Sequence, residues 1–278
     1  MELGWLKSLI YGFIGGLTEI LPVSAQAHKA LMLKFFGIGI SLDLLNLAVH
    51  FGVFAALYFT FQSQLVRFGR ARALARVPKQ KRKRPLDTRT LMDWSLLKTM
   101  LIPVVLGLLL YRKAEGIGAH LAALAGIMFL NGLILYIPQF LPSSNRDSRT
   151  LSRVEGFLMG LGGAASVVPG ISAVGTAASI GSVCGVEKSY GLNMALMMNM
   201  FLMFGLMVYD VLGVIGNGLI GFSFQMVLQH LLAAAAAFGA ALLGVKLLRY
   251  LIQEHSLSVF AFYSVGLALF TFVLNLIA

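Results

Sequence analysis

The sequence predicts an all-α polytopic membrane protein: an inverted-topology repeat of about six transmembrane helices and two re-entrant helical hairpins. Three observations lead there. Hydrophobic residues make up 58% of the 278 positions and charged residues 12%, about half the charged share of a soluble domain, and the mean hydropathy is +0.85. Apolar runs long enough to cross a bilayer, about 20 residues, occur at 43–66, 93–112, 119–141, 190–215, 225–250 and 257–278. Two further apolar segments, 8–40 and 154–187, are broken near their centres by Leu21-Pro22-Val23-Ser24 and by Val167-Val168-Pro169-Gly170-Ile171-Ser172.

In segment 8–40, Pro22 removes a backbone donor and pushes Leu21 out of the helical region, so a helix must end there. Ser24 then caps a helix that restarts inside the membrane, where free N–H groups and the positive dipole end suit a phosphate. Segment 154–187 repeats the device with Pro169-Gly170 as the break and Ser172 as the cap, while Gly162, Gly163, Gly170 and Gly175 permit close backbone approach. Each half-segment is too short to cross, and each whole is too long for a loop. Both read as re-entrant hairpins, tolerated at membrane depth where protein or a wet cavity satisfies the freed backbone.

The net charge of +11 is concentrated. Arg67, Arg70, Arg72, Arg76, Lys79, Lys81, Arg82, Lys83, Arg84 and Arg89 are opposed only by Asp87, and Phe68 is the one aromatic among them, too few for a nucleic-acid surface of interleaved aromatics. No nucleic-acid partner is expected. The stretch 67–92 reads as a cytoplasmic loop obeying the positive-inside rule, with attraction to anionic lipid headgroups as a second role. Setting this loop inside returns the chain to the inner face at Arg146, Arg149 and Arg153 and again at Lys246, Arg249 and His255. The two hairpins then enter from opposite faces and both termini lie outside. The domain reading is a single membrane unit, 1–278, built of repeats 1–141 and 142–278. No signal peptide is expected, since the first apolar run lacks a small-residue cleavage site. The single Cys184 excludes an internal disulfide.

The residues that carry chemistry cluster at the two breaks. Glu19 and His28 are ionisable groups at membrane depth, which are functional by default. Ser24 and His28 are four apart on one helical face, and Glu19 on the other arm is expected to face them. Gly170 and Thr18, Gln26, Ser172 and Thr176 add donors for a phosphate. His50, Asn131, Asn193, Asn199 and Asp210 read as satisfied interhelical contacts.

At Gly16-Leu17-Thr18-Glu19-Ile20-Leu21-Pro22-Val23-Ser24 followed by His28, and at Pro169-Gly170-Ile171-Ser172 followed by Gly175-Thr176, the chain resembles the undecaprenyl-diphosphate phosphatase family of the bacitracin-resistance type. The resemblance runs nearly end to end and implies a hydrolase of the plasma membrane. Such an enzyme acts on the polyprenyl diphosphate carrier used in cell-wall synthesis, from a site open to the outer face. Carried over residue by residue, it makes Glu19, His28 and Ser24 the catalytic candidates and Ser172, Gly170, Thr176 and Thr18 the phosphate cradle, to which Gln26, outside the family pattern, is added as a candidate. Glu19 becomes the ligand for a divalent cation, Mg²⁺ or Ca²⁺, the one cofactor this reading admits.

Three departures fall where the chemistry lies. Gly15 stands where the family pattern has a first Glu, Ala25-Gln26-Ala27 replaces Ser-Thr-Gly, and Ala173-Val174 replaces Arg-Ser. An arginine on a transferring phosphoryl group contributes roughly 10³–10⁵ in rate. Lys29 and Lys34 are the nearby replacement cations, but Lys29, one residue past His28, is expected to face elsewhere. The expected function is therefore binding of polyprenyl phosphate or diphosphate without hydrolysis by the usual mechanism. The alternative is a non-hydrolytic transporter or flippase of the same lipid. The sequence leaves a homo-oligomer open.

Overall fold

A computed structural model describes residues 4–37, 43–216, 223–254 and 256–277; His255 lies outside them. The described residues form helices without strands: α1 (Trp5–Ile20), α2 (Ala25–Phe36), α3 (Asp43–Ala75), α4 (Thr88–Leu108), α5 (Tyr111–Glu115), α6 (Leu121–Tyr136), α7 (Arg153–Ala164), α8 (Ala173–Val183), α9 (Lys188–Gly216), α10 (Phe224–Glu254) and α11 (Ser258–Ile277). Six of them, α3, α4, α6 with its 3₁₀ continuation, α9, α10 and α11, are long and apolar enough to cross a membrane. The pairs α1–α2 and α7–α8 are the two broken segments.

The basic stretch differs from the expected loop. Helix α3 continues to Ala75, so Arg67, Arg70 and Arg72 are helical, and α4 begins already at Thr88. The cause is local packing. Phe68 and Ala71 are buried, and the Arg72 guanidinium lies 5.0 Å from the Trp94 ring centre. Asp87 caps α4 by accepting from the Thr90 N–H at 3.0 Å. Only the link between Ala75 and Thr88 remains outside regular helix apart from one 3₁₀ turn.

The long helices pack in pairs, with α3 also lying against α10. Helix α1 lies along α10 as α7 lies along α4, α3 packs on α9, and α6 packs on α11. Each hairpin arm makes its approach through a Gly-x-x-x-Gly pair, the device that lets membrane helices touch backbone to backbone. A Cβ on Gly12 or Gly16 would stand 2.3 Å or 2.4 Å from the carbonyl oxygens of Ala233 and Ala237. On α7 a Cβ on Gly160 would stand 2.1 Å from the Met100 carbonyl, and one on Gly156 would stand 2.6 Å from Leu96 Cδ1. Gly160→Ala is therefore expected to push α7 off α4 and destabilise the protein by about 1–3 kcal/mol. Gly126→Ala, with open space around it, should leave the thermal midpoint unchanged or raised. Equal midpoints for both variants would contradict this packing.

Candidate functional site

The two hairpin tips meet. Ser24 is the one described non-glycine residue with positive φ, at 58°, a strained geometry that functional sites often hold. Its hydroxyl accepts from the Ala27 N–H at 3.4 Å, capping α2, and from the Gly170 N–H of the other tip at 3.0 Å. Gly170 adopts φ 111°, and a Cβ there would stand 2.6 Å from Ile127. Ser172 caps α8 by accepting from the Gly175 N–H at 3.2 Å. Asn131 of α6 clamps the junction: its amide oxygen accepts from the Ser172 N–H at 2.9 Å, and its nitrogen donates to Ser264 Oγ at 3.1 Å and the Pro22 carbonyl at 3.5 Å. Gln26 donates to the Ser166 carbonyl at 2.9 Å, tying α2 to the end of the α7 arm.

Glu19 does not face His28. Its Oε1 accepts from Lys29 Nζ at 2.7 Å and stands 3.4 Å from His50 Nε2. Lys29 Nζ also contacts His50 Nε2 at 2.8 Å, and His50 Nδ1 contacts Asp210 Oδ2 at 2.6 Å. An ammonium has only donors, so Nε2 accepts from Lys29 and the ring proton sits on Nδ1, donated to Asp210. Four buried groups from α1, α2, α3 and α9 thus form one chain. With a neutral imidazole it carries one cation against two carboxylates, so the charge on Lys29 is fully countered and one negative charge is left in excess. Gly15 lies against it: a Cβ there would stand 3.0 Å from Val49 and in ordinary contact, 3.7 Å, with Lys29 Cε.

His28 is turned the other way. Its Nδ1 donates to the Ser24 carbonyl at 2.8 Å, which leaves Nε2 to accept from the Tyr263 hydroxyl at 2.7 Å, and the two rings stack at 5.8 Å. The reason is the helical period. Neighbours are separated by about 100° around α2, so His28 and Lys29 cannot both face Glu19, and Lys29 does. The expected Glu19–His28 pairing, and the expectation that Lys29 faces elsewhere, are both corrected.

Beside the cluster lies a cavity of about 20 Å³, lined by Thr18, Glu19, Gln26, His50, Ser172 and Ala173 among others. It has room for about one water, so a phosphate needs the tips to part. Of the expected cradle, Thr18, Gln26 and Ser172 reach this cavity. Ser24 and Gly170 bond to each other, the Thr18 hydroxyl donates back to the Ile14 carbonyl at 2.7 Å, and the Thr176 hydroxyl is buried without a partner. Because Ala25, Gln26, Ser172 and Ala173 line the cavity, the N-termini of α2 and α8 both open onto it.

The donor set does not fit the expected Mg²⁺ or Ca²⁺. Hard divalent ions need several oxygen ligands, whereas the Glu19 carboxylate is met by an ammonium at 2.7 Å. Among the described residues no three His, Cys, Asp or Glu side chains converge to hold a metal. The residues that sequence reasoning set aside, Lys29, His50 and Asp210, form the centre. Their signal was present as three more ionisable groups at membrane depth, but their mutual pairing was not.

Fold and site together define a polytopic membrane protein with two broken-helix hairpins closing over a buried ionic cluster. Comparison with known proteins gives that class a family. The model of the bacitracin resistance protein BacA family matches residues 8–270, and the chain belongs to that family. It is similar to the undecaprenyl-diphosphatase of Methanobrevibacter smithii, with 28% identity over 95% of this chain and 96% of the relative. It is also similar to the undecaprenyl-diphosphatase of Renibacterium salmoninarum, with 26% identity over 97% of this chain and 95% of the relative.

Proposed function

We propose that the protein binds the phosphate or diphosphate head of a polyprenyl carrier lipid, of the undecaprenyl class, between the two hairpin tips, and does not hydrolyse it by the route the family pattern implies. The observation that supports this reading is the opening of two helix N-termini onto one cavity, whose Glu19 is paired with Lys29. The positive dipole ends of both helices favour an anion there. Against hydrolysis stand Ala173 in place of the arginine and the Glu19 carboxylate held by Lys29. The catalytic roles assigned to Ser24 and His28 would require them to leave Gly170 and Tyr263.

In this reading, residues 1–141 and 142–278 are the inverted repeats, the basic link faces the cytoplasm and attracts anionic headgroups, and the site faces the outer side of the plasma membrane. A phosphate entering the junction competes with Glu19 for Lys29, which would couple binding to rearrangement of the whole chain from Glu19 to Asp210. That coupling favours the second reading, a non-hydrolytic transporter of the same lipid. Buried ionisable relays and broken helices meeting at the midplane are transporter devices.

The test is affinity for C55 diphosphate in nanodiscs. Ala173→Asp sets a carboxylate at the start of α8, a favourable position for the helix and an unfavourable one for a bound phosphate. Binding should weaken at least about tenfold, while Ala173→Arg should tighten it. Wild-type affinity in both variants would remove the hairpin junction as the binding site.

A further inference from the structure

A second cavity, of about 500 Å³, lies between α3 and α9 at the end of the molecule that carries the basic link. That volume falls within the range of small-ligand sites, about 300–1,000 Å³. Arg67, Arg89 and Arg249 line it, with Asp87 and Asp93. The carboxylates are already engaged: Asp87 caps α4 and accepts the Thr90 hydroxyl at 2.7 Å, and Asp93 accepts from Ser148 and from the Tyr190 hydroxyl at 2.8 Å. The guanidiniums are engaged only in part. Arg249, half-buried on α10, donates to Asn193 Oδ1 at 2.7 Å, but its Nε is buried with no acceptor, and it makes no ion pair among the described residues. Arg67 donates to the Gln64 amide oxygen at 3.5 Å, and Arg89 pairs with Asp147 at 3.6 Å.

A buried N–H without an acceptor is unfavourable, and a lining of three arginines against two carboxylates is complementary to an anion. We infer that this cavity is a second anion site, taking a phosphate or diphosphate group with Arg249 at its base and Arg67 and Arg89 at its rim. A cationic ligand is disfavoured, since the lining carries three arginines against two carboxylates. The two cavities share helices α3 and α9. His50 at the hairpin site and Arg67 at this one are 17 residues apart on α3, about 25 Å along a helix, so the new site sits at the opposite end of the same seam. The group could belong to a lipid head drawn from the leaflet on that side or to a free phosphate, and both offer the same oxygens.

The experiment measures binding of inorganic pyrophosphate and of farnesyl diphosphate to the full-length protein in detergent. It is done in the Ala173→Asp background, where hairpin binding is weakened. Arg249→Gln and the exposed Arg67→Gln should each weaken the remaining binding about tenfold, and Arg249→Lys should retain part of it. Tighter binding of farnesyl diphosphate than of pyrophosphate assigns a lipid head, and equal binding assigns free phosphate. Both results support the site. Binding unchanged in Arg67→Gln and Arg249→Gln, or absent before either is introduced, overturns it. Arg67→Gln keeps the test valid if Arg249→Gln fails to fold, because a surface substitution there leaves the helix packing intact. A failure of Ala173→Asp to affect C55 diphosphate binding would count against the hairpin site alone.

Discussion

Replacing Lys29 with Met is expected to destabilise the protein by about 3–5 kcal/mol, the cost of leaving a buried carboxylate without its partner. Glu19 would retain only His50, at 3.4 Å, and that ring is already committed to Asp210 at 2.6 Å. The loss should be largely recovered in Glu19→Gln/Lys29→Met, since removing both charges of a buried pair is close to neutral. The comparison is a double-mutant cycle read by unfolding in detergent, where the two single costs should fail to add. Additive costs would mean that Glu19 and Lys29 do not interact, and the four-residue chain would fall with them.

The second large effect concerns turnover. Phosphate release from C55 diphosphate should be at least about 10³-fold slower than for a family member carrying the motif arginine, since a guanidinium on the transferring group contributes that much or more. Two independent features act together. Ala173 supplies no charge to the phosphoryl oxygens, and Glu19 is not available to orient a nucleophile while Lys29 holds it. Ala173→Arg alone should therefore accelerate release by less than about tenfold, because it corrects one defect and leaves the other. A full recovery from that single substitution would show that the Lys29–Glu19 pair does not limit the chemistry.

The spans and the hairpin breaks were legible because their causes are local. Pro22 and Pro169 interrupt apolar runs whatever surrounds them, and Ser24 and Ser172 are the capping residues that such restarts need. The meeting of the tips was legible from the matched breaks. The identity of the groups in the cluster was not. Placing His28 opposite Glu19 assumed which face of α2 turns inward, and that face is held by Tyr263, 235 residues downstream, and by the Lys29–Glu19 pair. His50 and Asp210 are 160 residues apart in different spans, and no periodicity in one sequence announces such a pairing. The helical extension of α3 was hidden for the opposite reason. Its charge pattern read as a loop, while the buried faces of Phe68 and Ala71 and the stacking of Arg72 on Trp94 hold it as helix.

Incubating the purified protein in nanodiscs with C55 diphosphate, and measuring retained intact lipid and released phosphate in the same sample, tests the central claim most directly. The expected result is diphosphate retained intact, with phosphate release near background and retention lost in Ala173→Asp. Rapid phosphate release by the wild-type chain, or retention indifferent to Ala173→Asp, would contradict it.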